Sequence, residues 1–113
     1  MSDFPEIDRL VHEPARLAIL TVLSACKSAD FLFLQNATGL SKGNLSVQMT
    51  KLEQAGLIRI EKEIVDKKTR TTASLSTEGA RDLAQYWKGM DEMRKLSSRP
   101  RGARLKMLYA NSR

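Results

Sequence analysis

The chain has 113 residues, 42% of them hydrophobic, which is enough for one core and too few for two ordinary domains. Its 19 Lys and Arg against 13 Asp and Glu give a formal charge of +6, a balance that favours a polyanionic partner. A single His and a single Cys exclude an intrachain disulfide and leave no Ser/His/acid set and no paired metal ligands; no phosphate-cradling glycine loop is present either. The chain therefore reads as a binding protein and not an enzyme, with no metal and no cofactor expected.

The apolar runs at 18–20 and 31–34 are far too short to span a membrane, and residues 1–5 carry no basic, apolar leader. The expected location is the cytoplasm, with no membrane partner. Charge is unevenly spread: residues 1–41 carry three basic and five acidic side chains, 42–75 seven and four, and 76–113 nine and four.

In chain order, residues 5–12 suggest a short helix with Ile7, Leu10 and Val11 on one side, and Pro14 suits the first turn of the next. Over 14–25 the apolar positions Leu17, Ile19, Leu20, Val22 and Leu23 cover a wide arc with Arg16 the sole charge, which predicts a central core helix. Cys26 at its end reads as a small buried hydrophobe, and His12 as a helix-end or surface residue. Residues 27–30 form a connector. A helix over 31–38 follows, with Asp30 as N-cap and Phe31, Leu34 and Leu32 offered to the core.

Gly39 and Leu40 then turn the chain into the most informative stretch, LSKGNLSVQMTKLEQAGLI at 40–58. Ser41 suits an N-cap, Leu45, Met49 and Leu52 recur at helical spacing, and Gly56 fits the left-handed residue that ends a helix. Lys42, Asn44, Ser46, Val47, Gln48 and Lys51 fall at or beyond the edges of that stripe. Asn and Gln can bond base edges and Lys can reach phosphate, so this outer face suits a major groove, although any solvated helix shows a polar face.

Two helices joined by a short glycine turn make the helix-turn-helix layout. Leu57, Ile58 and Ile60 open a strand whose partner is the threonine-rich 71–75, and Asp66, Lys67, Lys68, Thr69 and Arg70 form the turn between them. Such a cationic turn suits contact with a sugar-phosphate backbone or a minor groove; an ordinary solvated hairpin tip is the bland alternative. Ser76 caps a last long helix to about residue 96, with Leu83, Trp87 and Met90 near one face. That stripe either folds back on the core or pairs with a second copy, and its excess of apolar material favours the pair. The basic tail, 97–113, has five cations and no acid and suits a DNA arm, a dimer strap or an unstructured end.

HEPARLAILTVL, DFLFLQNATGLSKGNLSVQMTKLEQAGLI and KKTRTTASLSTEG together resemble the small winged-helix transcriptional regulators of the MarR and ArsR superfamily. The likeness spans about 11–83, most specifically the GNLS and KLEQAGLI runs. It implies a mainly α fold with a small β hairpin (α+β), a winged helix-turn-helix with a long C-terminal helix over 1–96. It also implies that Lys42, Asn44, Ser46, Val47, Gln48 and Lys51 face DNA, with Lys67, Lys68 and Arg70 on the wing. Val47 and Gln48 stand where relatives often carry Arg and His, and Thr69 where they often carry proline. The cysteine pairs of metal-sensing relatives are absent, which disfavours a metal effector and leaves a small-molecule effector unidentified.

The expected function is sequence-specific binding of double-stranded DNA as a homodimeric repressor, with Leu83, Trp87 and Met90 at the subunit contact. The alternative is a winged-helix protein-protein interaction module, since fold does not fix function. RNA binding is a weaker rival, because few aromatic side chains are free for stacking.

Overall fold

The computed structural model describes residues 4–98. Its elements run α1 (Pro14–Ser24), β1 (Ala29–Asp30), α2 (Phe31–Thr38), α3 (Lys42–Gln54), β2 (Ile58–Val65), β3 (Lys68–Leu75) and α4 (Thr77–Ser97). The architecture is the expected α+β class. Among the described residues no helix is long and apolar enough to cross a membrane. The tail expected at 97–113 lies outside the described residues from 99 onward, and its first residue closes α4.

Helix α1 starts where Pro14 occupies the first turn and the Glu13 carboxylate accepts from the Arg16 amide, 2.8 Å away. It buries Ala15, Ile19, Leu20 and Leu23, with Leu17 and Val22 half-buried against the same core. Leu34 from α2, Leu45, Met49 and Leu52 from α3, Ile58 and Ala73 from the sheet, and Leu83 and Tyr86 from α4 complete that core. Removing each such leucine from water contributes about 2 kcal/mol, so the helices are held chiefly by this shared interior and not by intrinsic propensity.

The sheet has three antiparallel strands in the order β1-β3-β2. Residues 29 and 30, expected as part of a connector, pair as Ala29 with Ala73 and Asp30 with Thr72. This short strand ties the start of α2 to the hairpin. Leu32, offered to the core by its sequence position, is 65% exposed; only Leu34 of α2 is fully buried, because eight residues turn just one narrow face inward.

The expected helix at 5–12 does not form. The Asp8 carboxylate accepts from the Leu10 amide and the Asp8 carbonyl from the His12 amide, folding this segment into a turn, the alternative that a short polar side chain offers the backbone. Val11 still reaches the core, and His12 Nδ1 lies 2.9 Å from the Tyr86 hydroxyl, giving a buried tyrosine its polar partner. Cys26 is half-buried just beyond α1.

At the other end of the core, the Ser76 hydroxyl donates to the Gly56 carbonyl and accepts from the Gly79 amide, while the Ser76 amide donates to the Leu57 carbonyl. This junction seats α4 on the α3–β2 connection. Leu83 is 5% exposed and belongs to the chain's own core, so it is not available for the subunit contact expected of it. Met90 is half-buried against the same core, whereas Trp87 is 47% exposed. The inward stripe of α4 thus runs through Gly79, Leu83, Tyr86 and Gly89, which places Trp87 at its edge.

Gly79 permits that seating because a methyl group there would lie 2.0 Å from the Leu57 carbonyl oxygen, a backbone atom that cannot swing aside. Gly79→Ala is expected to destabilise the domain by about 3 kcal/mol through overpacking. Urea unfolding monitored by Trp87 fluorescence checks this; a loss below about 0.5 kcal/mol would show that the α4 seat is loose.

Candidate nucleic-acid interface

Helix α3 forms as its sequence dictates. The Ser41 hydroxyl accepts from the Asn44 amide at 3.1 Å, satisfying a first-turn donor. At the far end Leu57 donates to Leu52 and Gly56 to Glu53, with Gly56 at φ +78. This paired closure needs a left-handed residue, and glycine takes it without steric cost. Leu45, Met49 and Leu52 are buried; Lys42, Asn44, Ser46, Val47 and Lys51 are exposed, and Gln48 is half-buried. No acidic residue occurs from Lys42 to Leu52, so the exposed face carries hydroxyl and amide donors and two cations, Lys42 in the first turn and Lys51 in the last.

Two of these side chains are not independent. Gln48 Nε2 donates to Asn44 Oδ1 at 3.0 Å, and Gln48 Oε1 accepts from Arg16 Nη1 at 2.8 Å. Arg16 is held in turn by its Nε bond to the Leu10 carbonyl at 2.6 Å, and its side chain is only 13% exposed. The lone charge on the otherwise apolar core helix therefore reaches across to the outer face of α3. Sequence reasoning left Arg16 without a role. Its signal was available: a guanidinium in the first turn of a buried helix must find acceptors, and an interior that supplies none forces it toward a neighbouring polar face.

The hairpin differs from expectation in where its cations stand. Asp66 and Lys67 alone make the turn, at φ 51 and 65, the positive angles that match a two-residue turn to strand twist. Lys68 and Arg70 lie in β3, opposite Val65 and Glu63. Arg70 also lies 3.5 Å from Asp30, whose other carboxylate oxygen accepts from the Phe33 amide at the start of α2. The five-residue cationic turn of the sequence reading is thus corrected: Lys67 is at the tip, Lys68 is next to it, and Arg70 is set back and paired with acid. The arms also carry apolar surface that was not anticipated, with Ile64 80% and Val65 42% exposed.

The model of the winged helix DNA-binding domain family matches residues 15–94, from α1 to near the end of α4. The chain belongs to that family. A transcriptional regulator homologue from Pyrococcus horikoshii OT3 has a similar fold, with a TM-score of 0.75 at 24% identity over 81% of this chain and 91% of that one. A MarR family transcriptional regulator from Streptomyces coelicolor, Sco3205, solved in complex with DNA, superposes with a TM-score of 0.61 at 24% identity, over 78% of this chain and 60% of that one. An uncharacterized protein of Methanocaldococcus jannaschii is 24% identical over 78 residues, 69% of this chain and 85% of its own length.

These structural likenesses carry the fold, and the family carries the chemistry: the chain is a winged-helix DNA-binding protein and not an enzyme. In winged-helix terms α2 and α3 are the helix-turn-helix, β2 and β3 the wing. The exposed face of α3 and the wing tip carry polar and cationic side chains that the core does not consume.

Proposed function

We propose that this protein is a homodimeric transcriptional repressor that reads double-stranded DNA with α3 in the major groove and touches the sugar-phosphate backbone with its wing. The observation that carries the reading is the division of α3 into a buried apolar face and an exposed face that is free of acid from Lys42 to Lys51. On this account Asn44 and Gln48 meet base edges, Val47 offers apolar contact to a thymine methyl, and Lys42, Ser46 and Lys51 position the helix on phosphates. Repression follows from occupancy, since a dimer across two successive major grooves would block access to the same DNA.

On the wing, Lys67 and Lys68 are the cations best placed for phosphate, whereas Arg70 is paired with Asp30 and stands opposite Glu63. Each phosphate neutralised releases condensed counterion. Changing Lys67 and Lys68 together to Ala should flatten the slope of log affinity against log salt by about two units while sequence preference survives. Fluorescence anisotropy on a labelled duplex across a salt series measures both; an unchanged slope would leave the wing a solvated hairpin.

The dimer rests on Trp87. It is 47% exposed and borders an apolar groove shared with Pro14, Leu17, Ala18, Val22 and Ala37, the kind of surface that a two-fold contact covers. Trp87→Glu should give a folded monomer at micromolar concentration in sedimentation, and a variant that stays dimeric would remove α4 from the contact.

A further inference from the structure

Arginine has five N–H donors and no acceptor, so whatever it bonds must present an oxygen. Arg16 Nη1 lies 2.8 Å from Gln48, which fixes the amide with Oε1 toward α1 and Nε2 away from it. Nε2 lies 3.0 Å from Asn44, and a donor there requires Oδ1 of Asn44, so that second amide is fixed as well. The chemistry of the guanidinium thus orients both amides independently of how their oxygen and nitrogen atoms look in outline. The result is asymmetric: each carbonyl oxygen already accepts one bond and is turned toward its protein partner, while the Asn44 Nδ2 hydrogens and one Gln48 Nε2 hydrogen are left for a ligand.

We propose that Arg16 is a positioning residue that makes the Asn44–Gln48 pair a donor-only reader, selecting guanine over adenine at the base pair it faces. The proposal rests on the reading that α3 enters the major groove. A free Asn or Gln recognises adenine by accepting from N6 and donating to N7, and that pairing needs a carbonyl oxygen directed at the base, which the clamp turns toward the protein instead. Guanine offers two adjacent acceptors, O6 and N7, which match two donors. The clamp is also well anchored, since Arg16 is held at Leu10 by a 2.6 Å bond from Nε and is largely covered. Gln48 therefore meets DNA in one orientation and loses little freedom there.

The test selects duplexes from a randomised pool with the wild-type chain, Gln48→Ala, Arg16→Met and Arg16→Lys, and compares base frequencies at the position whose preference depends on Gln48. Guanine is expected there for the wild type, with the preference lost in Gln48→Ala. Arg16→Met should lower the guanine-to-adenine discrimination about tenfold while non-specific affinity changes less than about twofold. Arg16→Lys, which keeps a donor in reach of Oε1, should recover part of the preference. Adenine at the Gln48-dependent position of the wild type would overturn the proposal, as would an Arg16→Met chain with unchanged discrimination. Should Arg16→Met fail to fold, the wild-type and Gln48→Ala selections decide alone. Enrichment of a site that is indifferent to Gln48 would overturn the donor-only reader and leave major-groove binding intact, whereas no enrichment by the wild type would remove both.

Discussion

Burial of Leu45, Met49 and Leu52 on one side of α3 is the constraint on which the rest depends, because it commits one face of that helix and leaves the other to solvent or a ligand. At about 2 kcal/mol for each buried side chain, this stripe outweighs what capping by Ser41 adds, about 1 kcal/mol. The cap and the Gly56 closure instead set where the helix begins and ends. They place Asn44 in the first exposed turn and send the chain directly into β2. The orientation of the hairpin beside α3 follows from that short exit and from the Ser76–Gly79 junction that closes on the same backbone.

A second consequence is that the core and the interface share a residue. Arg16 belongs to the helix that supplies Ile19, Leu20 and Leu23 to the interior, yet its guanidinium ends on the face of α3 that the core leaves alone. Asp30 plays a parallel part on the other side, capping α2 with one carboxylate oxygen and approaching Arg70 of the wing with the other. At 3.5 Å and half exposed, that ion pair contributes little to stability; its effect is to lower the free positive charge of the wing arm and leave Lys67 and Lys68 as its most available cations.

Helix α3 was legible in the sequence because three local signals agreed: a serine cap, an apolar stripe at helical spacing and a glycine stop. The pairing of Ala29 and Asp30 was not, since a strand of two residues has no periodicity and exists only because β3 lies beside it. The wing was assigned to the right segment with the wrong turn, because Asp66–Lys67 lacks the glycine that usually announces a two-residue hairpin. On α4, Leu83, Trp87 and Met90 share helical spacing, but the true inward line passes through Gly79 and Gly89, small residues that spacing rules do not weigh. Those glycines mark close approach: Gly89 would place a methyl group 3.1 Å from Ile7. Arg16 was invisible for a different reason, since its partner lies 32 positions away and only the packing of α1 against α3 brings them together.

On the proposed function, DNA sits on the exposed face of α3 and not on the apolar surface elsewhere on the domain. Amide chemical shifts of the labelled protein, followed as a selected duplex is titrated in, test it most directly. The largest changes are expected at residues 42–48 and 66–68, with little change along the α4 residues around Trp87. Changes concentrated at Leu32 and Phe33 or around Trp87, with α3 unperturbed, would contradict it.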